Sequence, residues 1–372
     1  MVIWKVLRLW NFVKLRIWQE VRVFCKIGLK EVGRVFAGTK TQKKHNYLTA
    51  KKRELQQLNG NNWMENLTEN LKNFNKHKQL SNDINLSYRY KDKPKKAKRC
   101  ADCGSVLSFD IWRNKETGET TQTLESANFC DVRWCPMCAW RKTKKLAAET
   151  KSILEQLEAQ RQVRYLFLTL TIKNPPLNEL RNAIAEMSKA FKRLTSQKAF
   201  KKNILGYIRA IEYLGDHTKS GEAHPHYHII LAVDAKAYFG GRNYINQAKW
   251  TEMWQQALRV DYTPIIDIRS IKAKSDKWKD SDSAVYETLK YCVAPLELKK
   301  LSQANFKELD KQTKGTRQHN KGGLLKEIKP LPNATLDPEI WEYMKTELYN
   351  YINKKGYEKC HDLKKDRPTS NP

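Results

Sequence analysis

Val163-Arg-Tyr-Leu-Phe-Leu-Thr-Leu-Thr-Ile172 is a run of β-branched, aromatic and leucine residues. Val163, Tyr165, Phe167, Thr169 and Thr171 alternate with Leu166, Leu168, Leu170 and Ile172, a period of two that predicts a strand buried on one or both faces. Pro175 and Pro176 end it, because proline removes a donor and fixes φ. Leu177, Leu180, Ile184, Met187, Phe191 and Leu194 then recur at spacings of three and four, the apolar stripe of a helix lying over a sheet. Further strands are expected over Ile204 to Tyr213, His226 to Val233 and Ile265 to Ile271, with Gly215 to Gly221 as a turn region. Asn246 to Leu258 reads as a helix, and so does 281–293, with Ser281 or Ser283 able to cap it and Val285, Leu289 and Cys292 on one side. The predicted class is α+β, a central antiparallel sheet with helices packed on a face. No internal repeat is visible.

The third of these strands begins His224-Pro-His-Tyr-His228, followed by Ile229, Ile230 and Leu231. Residues two apart on a strand project to the same side, so His226 and His228 can chelate one ion from a rigid backbone. Glu212 lies in the preceding expected strand; if the two pair as a hairpin, its carboxylate completes the site and leaves positions for phosphate oxygens. His224 is expected in a supporting role. Imidazole with carboxylate suits several first-row ions, and manganese or magnesium suits phosphoryl chemistry.

Glu287 and Tyr291 stand four residues apart on the helix expected over 281–293, hence on one face of it. A tyrosine hydroxyl attacking a phosphodiester forms a phosphotyrosine link and conserves bond energy for rejoining. Lys290 is placed to neutralise or orient the phosphate oxygens, and Glu287 to act as general base on water or on a second strand. Tyr286 is the local competitor for the nucleophile's part.

Eight cysteines are present, and five crowd into residues 100–138. Cys100-x-x-Cys103 and Cys135-x-x-Cys138 are metal-binding knuckles in pattern rather than disulfide partners. Four thiolates close a tetrahedral structural zinc site, and Cys130 is a fifth candidate able to replace one of the four. Arg133, Arg141, Lys142, Lys144 and Lys145, with Trp134 and Trp140 as candidate exposed aromatics, surround the second knuckle as a possible DNA-contacting module.

Lys plus Arg is 70 against 40 for Asp plus Glu, a formal net charge of +30. Such an excess is released as counterions against a polyphosphate, which makes nucleic acid the leading partner class. Residues 1 to about 40 interleave apolar and basic residues too densely to span a bilayer, and no secretion signal is apparent. The expected setting is a reducing cytoplasm. Met64 offers a second plausible start, so the first residues read as an extension. The organisation expected is a basic extension and linker over 1–94, a cysteine-rich zinc-binding subdomain over 95–150, a nicking and strand-transfer domain over 151–332, and a charged tail over 333–372, its last residues, Asp366 to Pro372, disordered.

Taken together, Phe167-Leu-Thr-Leu-Thr-Ile-Lys-Asn174, His224-Pro-His-Tyr-His228, Tyr286-Glu-Thr-Leu-Lys-Tyr291 and the cysteine-rich Phe129-Cys-Asp-Val-Arg-Trp-Cys-Pro-Met-Cys-Ala-Trp-Arg141 resemble the rolling-circle replication initiators of small bacterial plasmids, single-tyrosine members of the HUH endonuclease superfamily. Order and spacing agree over about residues 95–330, and Gly322-Gly-Leu-Leu-Lys326 resembles that family's ending. The resemblance implies a five-stranded antiparallel sheet with a metal on its face and the tyrosine on a flanking helix. It further implies nicking at a double-strand origin bearing a hairpin, a 5′-phosphotyrosine intermediate, termination served by Glu287, and a free 3′-hydroxyl that primes a host polymerase, with a host helicase as a further partner. Two rivals are a transposase or relaxase of the same superfamily and, in a different class, a non-catalytic zinc-dependent DNA-binding regulator.

Overall fold

The computed structural model describes residues 67–215, 218–240, 243–271, 285, 295–331 and 336–363. In chain order these form α1 (Leu67–Ile84), α2 (Leu86–Arg89), α3 (Pro94–Asp102), β1 (Val106–Asn114), β2 (Thr120–Ala127), α4 (Pro136–Glu158) and β3 (Val163–Thr171). After a single 3-10 turn come α5 (Leu180–Ser196), α6 (Lys198–Asn203), β4 (Ile204–Glu212), β5 (His226–Asp234), α7 (Ala235–Phe239) and α8 (Gln247–Leu258). The remainder is β6 (Ile266–Ile271), α9 (Pro295–Lys300), α10 (Gln303–Thr313), β7 (His319–Gly323), α11 (Leu324–Glu327), β8 (Trp341–Ile352) and β9 (Gly356–Leu363). Among the described residues no helix is long and apolar enough to cross a membrane.

Two antiparallel sheets result, a five-stranded one in the order β6-β3-β5-β4-β7 and a four-stranded one in the order β2-β1-β8-β9. The α+β class is thus observed. The alternation in 163–172 becomes β3, an interior strand of the larger sheet between β6 and β5, and its two sides are both packed. Leu166, Leu168 and Leu170 join Tyr227, Ile229 and Leu231 of β5 beneath the stripe of α5 and the tryptophans Trp250 and Trp254 of α8. On the other face Tyr165, Ile208, Ile230 and Ala232 pack against Ala147, Ile153, Leu154 and Leu157 of α4, and Val285 is buried in the same cluster. A strand flanked by helices on both sides reads as a near-continuous apolar run rather than a strict alternation.

The segment expected as a charged tail forms β8 and β9, and β8 pairs along the whole of β1. Its charges concealed the strand pattern because they are paired within the sheet. Glu347 is buried and accepts from the Tyr349 hydroxyl at 2.6 Å and from Lys359 Nζ at 2.7 Å, with Lys345 Nζ 2.9 Å away. The boundaries drawn at 94 and 332 are therefore crossed: the smaller sheet joins a hairpin from the cysteine-rich segment to the C-terminal hairpin. Within the expected linker, α1 packs against α4 and β9. The helix expected over 281–293, with Glu287, Lys290, Tyr291 and the competitor Tyr286, lies outside the described residues apart from Val285, which is helical. Asp366 to Pro372 lies outside them as well.

Gly323 explains part of the Gly322-Gly-Leu-Leu-Lys326 signal. Its φ of 59° and ψ of −150° lie in a region that only glycine adopts without strain, and a Cβ there would collide with the Leu205 carbonyl. Gly323→Ala is expected to cost at least about 1–3 kcal/mol of stability from the backbone alone. Urea unfolding checks this; an unchanged midpoint and slope would refute it.

Candidate metal and nicking site

Antiparallel pairing aligns directly opposed residues on one face. The register places Glu212 opposite His226, and His226 opposite Thr171. One pair further along, Ala210 lies opposite His228, which faces Thr169. The hairpin condition on Glu212 is thereby met: its Oε2 lies 3.1 Å from Nε2 of His226 and 3.1 Å from Nε2 of His228, and the two Nε2 atoms are 3.1 Å apart. All three side chains are buried. Three donors at such edges subtend nearly right angles at metal–ligand bonds of about 2.1 Å, so the donor set fits an ion with further positions open to other oxygens.

The neighbours orient these rings. His226 Nδ1 donates to the carbonyl of His224 at 2.8 Å, a bond that leaves Nε2 with its lone pair facing Glu212 and His228. The His224 ring is itself held by Asn174 Oδ1 at 2.7 Å from its Nδ1, and burial pushes its pKa below the ordinary imidazole value, with His226 adding to the effect. His224 thus supports His226 and is outside the three-donor set. The Phe167 ring stacks on His228 with centroids 5.5 Å apart, and Thr169 Oγ1 lies 3.4 Å from His228 Nδ1. Thr169 and Phe167 were visible only as strand residues, and Asn174 only as the end of a motif. Their contact with the histidines depends on register, which no single strand encodes.

Cys103, Cys130, Cys135 and Cys138 bring their four sulfurs within 4.8 Å of one another, all buried. Sulfur contacts of 3.5 Å (Cys135 to Cys103) and 3.6 Å (Cys103 to Cys138, Cys130 to Cys138) approach the edge of about 3.8 Å set by Zn–S bonds of ~2.3 Å in a tetrahedron. Cys130 therefore stands where Cys100 was expected in the four. Cys100, in the last turn of α3, is buried beside Cys130, whose hydrogen bond holds the Cys100 thiol below its ordinary range. Within the four, hydrogen bonds received first from Cys103 hold Cys135 far below the usual thiol range, while those to Cys130 and Cys135 push Cys103 far above it. A cation that ionises all four is what such a cluster lacks on its own.

The knuckles are locked by a residue that sequence reading did not single out. Lys78 of α1 is buried and donates to the carbonyls of Ala101 at 3.0 Å and Cys103 at 2.8 Å. Ser81 Oγ lies 3.7 Å from Cys135 Sγ, and the Arg99 guanidinium donates to the Cys130 carbonyl. The aromatics expected to be exposed are not. Trp134 is buried and donates to Asp310 at 3.2 Å, and Trp140 stacks on His77 with centroids 4.5 Å apart. Arg133 bonds the carbonyls of Thr313 and Thr316, and Arg141 lies over the Phe129 ring. Lys145 remains exposed. Most of the module's candidate DNA contacts thus serve internal structure.

A family profile described as Replication protein matches residues 121–367. A relative from Bacillus amyloliquefaciens named "Protein rep" is 38% identical over 251 residues, covering 63% of this chain and 72% of that protein. One from Bacillus sp with the same name is 43% identical over 181 residues, 49% of this chain and 57% of the relative. A third "Protein rep", from Streptococcus pneumoniae serotype 2 (strain D39 / NCTC 7466), is 37% identical over 234 residues, 62% and 70% of the two chains. No solved structure matches the chain.

Proposed function

The chain belongs to the replication protein family, and on that premise we propose that it initiates rolling-circle replication of a plasmid by nicking one strand of the double-strand origin. The observation that carries this reading is the convergence of Glu212, His226 and His228 at 3.1 Å on one face of the five-stranded sheet. These three would hold a divalent ion, manganese or magnesium by preference, which when bound polarises a phosphoryl oxygen and offsets the charge that builds there. The sheet is of the HUH type in this reading, with the histidine pair on a central strand.

Tyr291 supplies the nucleophile. Its phenolic oxygen attacks the phosphorus, the bond to the 3′-oxygen breaks, and the proton lost by the phenol ends on that oxygen. A 5′-phosphotyrosine and a free 3′-hydroxyl result, the latter a primer for a host polymerase. Lys290 neutralises the phosphate oxygens, and Glu287 serves as base for water or a second strand when the link is released at termination. Val285 supports this placement, being buried beside Ile230 and Ile208 on the face that bears the histidines. Cys103, Cys130, Cys135 and Cys138 hold a structural zinc in the same reading.

The test is covalent capture. Incubating the full chain with a labelled single-stranded oligonucleotide from the origin hairpin and manganese should give an adduct whose modified peptide carries DNA on Tyr291. Absence of any adduct would leave the non-catalytic regulator as the surviving reading, and an adduct on Tyr286 would reassign the nucleophile. A transposase or relaxase would give the same adduct, but the family profile that matches this chain is described as Replication protein.

A further inference from the structure

The opposite face of the larger sheet carries a second feature that the nicking chemistry does not use. Side chains alternate along β4, so Glu212 and Ala210 face the histidines while Arg209 and Tyr207 face away. Arg209 pairs with Ile229 of β5 and with Asn320 of β7, and its guanidinium sits over the rings of Phe191 at 4.4 Å and Tyr227 at 4.1 Å. Burial lowers its pKa from the ordinary guanidinium value. Among the described residues no carboxylate lies within ion-pair distance of it, and no hydrogen-bond acceptor is seen for its five N–H donors. Two aromatic faces offset part of the cost of desolvating the cation, and its half-buried donors remain open to the cleft.

Arg209 opens into a cleft of about 560 Å³ between α5 and the β4–β7 edge of the sheet. Arg181, Lys192 and Arg317 bring three more cations to it, with Ser188 and Asn320 as neutral polar groups, and no carboxylate lines it; the Thr195 and Thr316 hydroxyls donate to the carbonyls of Lys192 and Thr313. Lys192 and Arg317 are exposed. Arg181 is committed to the carbonyls of Lys311 and Lys314, so the mobile charges at the mouth are Lys192 and Arg317. The cleft between Lys93 and Arg133 beside the cysteines differs in kind. There Lys93 and Lys96 are paired with Asp310, and Arg133 and Arg99 with carbonyls.

The geometry points to a phosphate-binding cleft for the DNA backbone on the face opposite the metal site, with Arg209 as its anchor. The inference rests on the reading that the chain binds DNA, and goes beyond it by placing a contact away from the scissile phosphate. A planar guanidinium offers a forked pair of donors to phosphate oxygens, the Asn320 amide adds a further donor, and the absence of acids excludes a cation. Contacts of this kind fix register and orientation without reading bases. The cleft opens at β7, the edge strand of the sheet, so one strand can run over that edge from the metal face.

The probes are a mixed-sequence single-stranded 30-mer and the matching duplex, titrated against the full chain between 50 and 300 mM salt, with inorganic phosphate in a thermal-shift assay. Arg209→Met keeps an apolar stem between the two rings, and Lys192→Ala with Arg317→Ala alters only exposed positions. Either is expected to weaken binding about five- to tenfold at 150 mM salt and to reduce the salt slope by about one for each phosphate that the cleft no longer neutralises. Removing two exposed lysines of the β8–β9 turn, Lys354→Ala with Lys355→Ala, should change affinity by less than twofold. Phosphate at tens of millimolar should raise the melting temperature of the natural chain and not that of Arg209→Met. Affinity and slope unchanged in the Lys192/Arg317 variant, or lowered equally by the turn lysines, would overturn the cleft. Failure of the natural chain to bind either DNA at 50 mM salt would instead sink the functional reading beneath it.

Discussion

Replacing His226 and His228 together by alanine is expected to reduce strand cleavage at least 10³-fold while DNA affinity falls by less than threefold. Phosphoryl polarisation by a divalent ion is worth several kcal/mol, and about 4 kcal/mol corresponds to 10³ in rate. Affinity instead comes mainly from lysine and arginine contacts with the backbone, drawn from a net charge of +30. Stability should move little in comparison. Both imidazoles are buried beside Glu212, but the opposite face of the sheet, where Leu166, Leu168, Leu170, Ile229 and Leu231 pack beneath α5 and α8, is untouched by their loss. Calorimetric titration with manganese should show one site in the natural chain and none in the variant. Glu212→Gln should weaken that site yet leave it measurable, because the two Nε2 donors remain. A double-alanine variant that binds manganese normally, or one that loses DNA binding along with cleavage, would show that the histidines do structural work.

The strands of the larger sheet were legible because each buries a face against a helix, and burial imposes a period on sequence. β3, β4, β5 and β6 were expected within a residue or two of where they lie, as were α5 and α8. Asn246, read only as the start of α8, caps it by accepting from Lys249 N at 2.8 Å. Elements held by partners distant in sequence left no such trace. β7 is five residues, His319–Gly323, with two glycines and no apolar side chain; it is a strand because β4 supplies its hydrogen bonds. β8 carries Glu342, Lys345 and Glu347, which look like solvent charges until β9 supplies Lys359 and β1 the pairing. Asp310 shows the same limit. It accepts from Tyr90 at 2.8 Å and from Trp134, joining α10 to the cysteine segment more than 170 residues earlier, and an isolated aspartate on a helix gives no sign of that.

Within the candidate site, the histidine pair was readable because a strand fixes the geometry of residues two apart. Glu212 was readable only conditionally, since the hairpin loop between β4 and β5 could have shifted the register by one and turned the carboxylate to the other face. The cysteines show the converse. Two C-x-x-C pairs suggest that each knuckle gives both its thiols, yet Cys100 closes a turn of α3 and packs against Cys130, which enters the cluster from the loop after β2. Spacing names the candidates, and the chain's path through β1 and β2 selects among them.

That selection carries a large consequence for stability. Zinc bound by four thiolates contributes on the order of 10–16 kcal/mol in isolated finger peptides, as much as the whole margin of an ordinary domain. Cys130→Ser is therefore expected to lose the zinc and most cooperative unfolding, with a melting temperature lowered by more than 15 °C. Cys100→Ser should retain one zinc per chain and cost about 1–2 kcal/mol for a buried hydroxyl in a thiol's place. Metal analysis after dialysis and thermal unfolding together separate the two, and the reverse pattern, zinc kept by Cys130→Ser and lost by Cys100→Ser, would return Cys100 to the four. The effect should reach the face that bears Glu212, His226 and His228 as well. Cys135 caps α4 and Cys138 lies in its first turn, and the far end of the same helix packs Ile153, Leu154 and Leu157 against Ile208 and Ile230. Because one helix spans both sites, Cys130→Ser should lose cleavage even at saturating manganese. Cleavage that survives zinc loss would mean that the α4 contact with the sheet forms independently of the cysteine cluster.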